Sequence, residues 1–200
     1  MAAGDHVAGD GRLEGSGLGG SGTALRSTAE IAELIKARVR DVADYPQPGV
    51  MFKDITPLLA DGVALAAVIS ALSSGHDGVD KVAGIEARGF ILAPSVALQL
   101  GAGFVPVRKQ GKLPGPTYAQ SYDLEYGSAT IEVHRDAFGP GERVLIVDDV
   151  LATGGTGAAT AELVRQAGAE VAGIAVILEL SFLNGRAQLP GTPVRSLLVV

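Results

Sequence analysis

Val144-Leu145-Ile146-Val147-Asp148-Asp149-Val150-Leu151-Ala152-Thr153-Gly154-Gly155-Thr156 runs from an apolar strand through two adjacent carboxylates into a Gly-Gly turn and a helix start. An uninterrupted apolar run before the carboxylates suits a strand buried on both faces, as in a parallel sheet. The two glycines let backbone N–H groups approach an anion closely, and a helix N-terminus adds partial positive charge. Thr153 and Thr156 can donate further hydrogen bonds. Asp148 and Asp149 stand at the carboxyl end of the strand, where open α/β sheets bind ligands. As acceptor-only groups they suit a sugar diol or a metal and would repel a phosphate placed directly on them. A Walker A loop needs Gly-Lys-Ser/Thr, and this turn has no lysine. A dinucleotide fingerprint fails as well, because Thr160 stands where its third glycine belongs. The plain alternative is an ordinary βα turn with acidic capping residues.

The surrounding chain alternates in the same manner. Residues 81–85, 104–108, 143–147, 171–180 and 194–200 read as strands, and residues 90–100 and 156–167 as helices, the latter ending at Gly168. Apolar strands alternating with helices predict an α/β fold, a parallel β-sheet flanked by helices. Upstream, Ser27-Thr28-Ala29-Glu30 has the form of a capping box. Ile31, Leu34, Ile35, Val39 and Val42 follow it at helical spacing, and the proline-rich segment at 44–49 should end that helix. A second helix is expected from 61 to about 72. Residues 109–128 are polar and contain Gly and Pro, which predicts a long functional loop. Residues 130–134 read as one strand of a hairpin. Residues 1–25 hold eight of the 28 glycines and only isolated large apolar residues. They read as a disordered Gly-rich tail preceding one domain over 26–200.

Composition narrows the function classes. With 47% hydrophobic and 19% charged residues in 200, most of the chain should fold. A net charge of −6 and a pI near 5.0 argue against a general nucleic-acid binder. The absence of cysteine excludes disulfide scaffolds, thiolate zinc sites and cysteine nucleophiles. No apolar run approaches the length of a membrane span, and no basic segment followed by an apolar one opens the chain, so the expected location is cytoplasmic. His6, His76 and His134 lack the spacing and neighbours of a metal site. Arg108, Lys109 and Lys112 form a basic cluster beside the long loop. Taken alone the cluster reads as a solvated charged face; beside a long loop in an acidic protein it suits an anion site.

The 147–156 segment resembles the 5-phosphoribosyl 1-pyrophosphate (PRPP) loop of type I phosphoribosyltransferases. Four further segments resemble the adenine phosphoribosyltransferases: Tyr45-Pro46-Gln47-Pro48-Gly49-Val50-Met51-Phe52-Lys53-Asp54-Ile55-Thr56-Pro57-Leu58-Leu59, Gly84-Ile85-Glu86-Ala87-Arg88-Gly89-Phe90, Arg108-Lys109-Gln110-Gly111-Lys112-Leu113-Pro114-Gly115, and Ser121-Tyr122-Asp123-Leu124-Glu125-Tyr126-Gly127. The resemblance implies a small N-terminal hood over the sheet and transfer of a phosphoribosyl group from PRPP to adenine. That reaction gives AMP and pyrophosphate in purine salvage. It also implies Mg²⁺ bound through PRPP, and a homodimer.

Carried onto this sequence, the resemblance assigns Asp148 and Asp149 to the ribose hydroxyls and to the positive charge that develops as pyrophosphate leaves. It assigns Ala152, Thr153, Gly154, Gly155 and Thr156 to the 5′-phosphate. Ala87, Arg88, Arg108, Lys109 and Lys112 fall at the pyrophosphate positions, and Met51, Phe52 and Lys53 at the adenine segment. Glu125 stands at the position of the family's acid/base glutamate, with Tyr126 in the lid. Without the resemblance, the sequence favours Met51 and Phe52 as core residues and Glu125 as an exposed loop carboxylate. Glu179 and Leu180, at a strand end, are expected to border the base. Ala87 stands where serine is common in the family, Lys53 where arginine is frequent, and Gln110 where a basic residue is frequent. Two alternatives remain at this point: a relative acting on another purine or a pyrimidine base, and a non-catalytic PRPP-sensing regulator.

Overall fold

The computed structural model describes residues 27–123 and 127–200. The tail at 1–25 and the readings of Glu125 and Tyr126 therefore lie outside the described residues. Ser27 opens helix α1 (Thr28–Lys36) through the expected capping box: its hydroxyl accepts from the Glu30 N–H at 3.2 Å, and the Glu30 carboxylate accepts from the Ser27 N–H at 2.7 Å. The helix is shorter than its apolar spacing suggests. Val42 belongs to strand β1 (Arg40–Ala43), paired antiparallel with β2 (Met51–Asp54) so that Val42 lies opposite Phe52. The spacing of Ile35, Val39 and Val42 is helical, and the ladder with residues 51–54 overrides it at Val42. These two strands form a small sheet separate from the main one.

A short helix that the pattern does not signal, α2 (Thr56–Ala60), precedes α3 (Gly62–Ser73), whose first N–H groups are capped by the Asp61 carboxylate. The alternating part follows: β3 (Lys81–Ile85), α4 (Gly89–Leu100), β4 (Gly103–Lys109), β5 (Thr117–Asp123), β6 (Ser128–His134), β7 (Arg143–Leu151), α5 (Gly155–Gln166), β8 (Glu170–Glu179) and β9 (Val194–Val199). Two 3₁₀ turns, Ser181–Leu183 and Gly185–Gln188, link β8 to β9.

The main sheet has the order β5-β6-β4-β3-β7-β8-β9. β4, β3, β7, β8 and β9 are mutually parallel, and β5 and β6 form an antiparallel edge. The long polar loop expected over 109–128 thus contains a strand, β5, in its second half. Tyr118, Gln120 and Tyr122 are half-buried, while Ala119, Ser121 and Asp123 are exposed. With only two aromatics marking its inner face, next to a Gly- and Pro-rich stretch, this period-two signal is faint.

Along β7, Leu145 and Val147 face a core shared with α1, α3 and α4, whereas Val144 and Ile146 face one shared with α5. Burial on both faces is why the strand carries no polar alternation. The chain leaves β3 to form β4 on one side and later returns to form β7 on the other. The crevice beyond the carboxyl ends of β3 and β7 is therefore the topological switch point of the sheet.

Candidate active site

Two turns meet at that crevice, Glu86-Ala87-Arg88 after β3 and Ala152-Thr153-Gly154 after β7. α5 begins without a side-chain cap, unlike α1 and α3. Its first N–H groups consequently have no partner within the helix and stand available to an anion. Gly154 is the N-cap, at φ +85°, a conformation that favours glycine over any residue bearing a Cβ. A small pocket beside the turn is lined by Ile85, Asp148, Ala152, Thr153, Gly154 and Thr156, among others.

Asp148 and Asp149 lie in the extended part of β7, which runs four residues past Val147 to Leu151. Asp149 is 3% exposed. The Asp148 Oδ1 accepts from the Asp149 N–H at 2.9 Å. Burial pushes the Asp148 carboxyl well above the usual carboxylate range, and the neighbouring Asp149 charge adds to the rise. Burial also raises Asp149, opposed by the nearby Arg88 cation. Arg88 Nε lies 2.9 Å from Asp149 Oδ2, an ionic contact in which the N–H is misaligned for a hydrogen bond, so that buried oxygen has no hydrogen-bond donor.

Arg88 also reaches the hood. Its guanidinium carbon sits 4.9 Å from the centroid of the Phe52 ring, and its Nη1 lies 3.4 Å from the Lys53 carbonyl oxygen, a long hydrogen bond. The Tyr45 ring meets Phe52 edge-on at 5.0 Å. Met51 is exposed and Phe52 half-buried, so neither is a core residue. Lys53 pairs with Asp41 at 2.7 Å. Among the described residues β2 pairs with no strand but β1, so its other edge carries no ladder, and the Lys53 carbonyl accepts from Arg88. One arginine thus joins the segment assigned to the base with the carboxylates assigned to the sugar.

The basic cluster is organised by two carboxylates that sequence reading passes over. Glu86 accepts from the Lys109 N–H at 2.9 Å and is approached by Arg108 Nε at 3.4 Å. The Lys109 N–H, foremost, holds the Glu86 carboxyl below its usual range. Glu132, 5% exposed, accepts from the N–H groups of Lys112 and Leu113 at 3.2 and 3.1 Å. Arg108 Nη1 donates to the Lys112 carbonyl at 3.1 Å. Ala87, Lys109 and Lys112 are exposed, and among the described residues neither lysine ammonium has an ion pair. Between Ile131 and Val133, period two assigns Glu132 to the polar face, so no sequence signal marks it as buried. Glu132→Leu removes Oε1, the one oxygen that accepts from both N–H groups. It should therefore lower stability by about 1–3 kcal/mol, the cost of an unsatisfied buried donor, and raise the KM for a pyrophosphate-bearing substrate; denaturant melts and initial rates check both. The carboxylate of Glu179, expected to border the base, is taken up by Arg186 and Ser196.

Comparison with known proteins agrees with this geometry. The phosphoribosyl transferase domain family matches residues 52–188. The adenine phosphoribosyltransferase of Streptomyces coelicolor is 62% identical over 176 residues, covering 85% of this chain and 97% of that protein. The chain belongs to the adenine phosphoribosyltransferase family. The family enzyme of Acidothermus cellulolyticus is likewise 62% identical, over 174 residues, covering 86% of this chain and 98% of its own. Among solved structures, adenine phosphoribosyltransferase from Rhodothermus marinus superposes with a TM-score of 0.82 at 52% identity, covering 86% of this chain and 99% of that one. The Saccharomyces cerevisiae enzyme, complexed with an imino-altritol bisphosphate and adenine, gives 0.80 at 38% identity over 84% of this chain and 99% of that one. The type I phosphoribosyltransferase fold, a mostly parallel sheet flanked by helices, is the fold of this chain.

Proposed function

We infer that the protein transfers the 5-phosphoribosyl group of PRPP to adenine, forming AMP and releasing pyrophosphate, the reaction for which its family is named. One observation carries the reading within the structure. An uncapped helix N-terminus, a buried carboxylate pair and an aromatic hood residue converge on one crevice, tied together by Arg88. In this reading Ala152–Thr156 hold the 5′-phosphate through backbone N–H groups. Asp148 and Asp149 accept from the ribose hydroxyls, and their negative charge favours the cationic sugar as the bond to pyrophosphate breaks. Arg88, Arg108, Lys109, Lys112 and the Ala87 backbone receive the pyrophosphate. Adenine stacks on the face of Phe52 opposite Arg88, with the edge of β2 that carries no ladder reading its polar rim at Met51 and Lys53. The new bond joins the sugar carbon to the ring nitrogen, and the proton of that nitrogen passes to Glu125, with Tyr126 assigned to the lid.

Magnesium fits as part of the substrate. Among the described residues no group of three or more His, Asp or Glu is arranged to hold a metal. Two adjacent carboxylates beside a pyrophosphate site suit an ion that takes phosphate oxygens and keeps several waters. Bound there, Mg²⁺ would neutralise charge on the leaving pyrophosphate. A homodimer and a cytoplasmic location belong to the same proposal. For the dimer, Ile91 and Leu98 lie two turns apart on α4 and are 50% and 84% exposed, an apolar face suited to a second copy. No helix among the described residues is long and apolar enough to cross a membrane.

Pyrophosphate release measured with PRPP and each free base in turn tests the assignment. Adenine should be used far faster than hypoxanthine or guanine, and a comparable kcat/KM for hypoxanthine would refute the base specificity. Tight PRPP binding without turnover on any base would instead indicate a sensor. Glu125→Gln should lower kcat by about 10²–10⁴-fold, the usual contribution of a general base, while leaving PRPP affinity within a few-fold. Retention of half the wild-type kcat, with chemistry rate-limiting, would remove Glu125 from the mechanism.

A further inference from the structure

The turn Ala152-Thr153-Gly154 carries no side chain larger than threonine, so its place depends on what its backbone touches. It touches Gly185. A Cβ on Gly154 would fall on the Gly185 carbonyl oxygen, and a Cβ on Gly185 would fall on the Ala152 carbonyl oxygen. The two backbones are in contact, with no room for a side chain between them.

Gly185 is in turn held to the end of the sheet by its neighbour. Arg186 Nε and Nη2 donate to the two carboxylate oxygens of Glu179, each at 2.7 Å, and Nη1 donates to the Val194 carbonyl at 3.0 Å. Ser196 Oγ donates to Glu179 Oε2 at 2.5 Å. Glu179 ends β8 and is 7% exposed, while Val194 and Ser196 belong to β9. A planar fork on a fixed carboxylate sets both position and orientation, which a lysine ammonium cannot do. A continuous mechanical path therefore runs from the ends of β8 and β9 through Arg186 and Gly185 to the turn.

We propose that Glu179 and Arg186 are positioning residues for PRPP, holding the Gly185 backbone as the seat on which the phosphate turn rests. The proposal rests on assigning the 5′-phosphate to Ala152–Thr156. It gives Glu179 a role other than bordering the base, and it predicts an effect specific to the phosphate-bearing substrate.

The test must separate positioning from stability, because losing Arg186 alone strands a buried carboxylate. Three variants do so: Arg186→Met, Arg186→Lys, and the double variant Glu179→Met with Arg186→Met. Arg186→Met should raise the KM for PRPP about tenfold or more, equivalent to one weakened charge-assisted hydrogen bond, with the KM for adenine at saturating PRPP within about twofold. Arg186→Lys keeps the charge but should leave most of the PRPP defect. The double variant removes the stranded charge and should recover the melting temperature, yet keep the raised KM for PRPP. An unchanged KM for PRPP in Arg186→Met, equal losses for both substrates, or recovery of PRPP affinity together with the melting temperature would each overturn the proposal. Calorimetric binding of ribose 5-phosphate to the same proteins repeats the comparison without chemistry. A wild-type protein that binds it but does not turn over would overturn the catalytic reading, while the variants still decide this one.

Discussion

Asp148→Asn should lower kcat/KM for PRPP by about 10–150-fold, the worth of one charge-assisted hydrogen bond, and at the same time raise the melting temperature near neutral pH. The two effects have one cause. Burial and the adjacent Asp149 make the Asp148 carboxyl hold its proton more tightly folded than unfolded. The folded state then binds more protons than the unfolded chain, so stability falls as pH rises above the ordinary carboxylate value of about 3.9, up to the raised folded value. Asparagine carries no charge to desolvate, and its Oδ1 can still accept from the Asp149 N–H. Each kcal/mol recovered moves the melting temperature about 2–4 °C in a chain of this size. Below about pH 4 the wild-type group is protonated in both states and the gain should vanish. Thermal melts at pH 4 and pH 7.5, beside initial rates, check both halves. A variant less stable than wild type at pH 7.5 would mean that Asp148 caps the turn rather than storing charge for the substrate.

Arg88→Ala should reduce kcat/KM by about a hundredfold or more, the cost of more than one charged contact, and should do so for both substrates. Arg88 touches the Phe52 ring and the Lys53 carbonyl on one side and Asp149 on the other, so its loss disturbs the base segment together with the sugar carboxylates. Without the cation, Asp149 holds its proton to higher pH. The acid limb of the kcat/KM profile should therefore shift toward neutrality. Arg88→Lys should not restore the wild-type values, because an ammonium neither stacks flat on a ring nor forms a fork. A rise confined to the KM for PRPP, with an unmoved acid limb, would reduce Arg88 to a pyrophosphate contact alone.

The central strand, the phosphate turn and the succession of strands and helices along the chain were legible from residues 144–156 and from the alternation around them. Each depends on local chemistry: apolar runs, a Gly-Gly turn, a helix start. The carboxylates Asp148 and Asp149 were legible for the same reason. Less local features were not. β5 carries too few apolar residues to announce itself, and Val42 took the strand period because its partner, Phe52, lies ten residues away.

What the amino-acid sequence determined by itself is the set of groups this protein brings to an anionic sugar substrate, because residue type and short-range spacing fix donors, acceptors and turns. Tertiary structure alone decided how those groups are coupled. Arg88 spans hood and carboxylates, Glu86 and Glu132 gather the basic loop, and Gly185 with Arg186 seats the phosphate turn. Apart from the Arg186–Glu179 pair, seven positions apart, these contacts join residues twenty or more positions apart. Their stabilisation comes from burial and hydrogen-bond geometry that exist only once the sheet has closed the distance, and no window of sequence contains both partners.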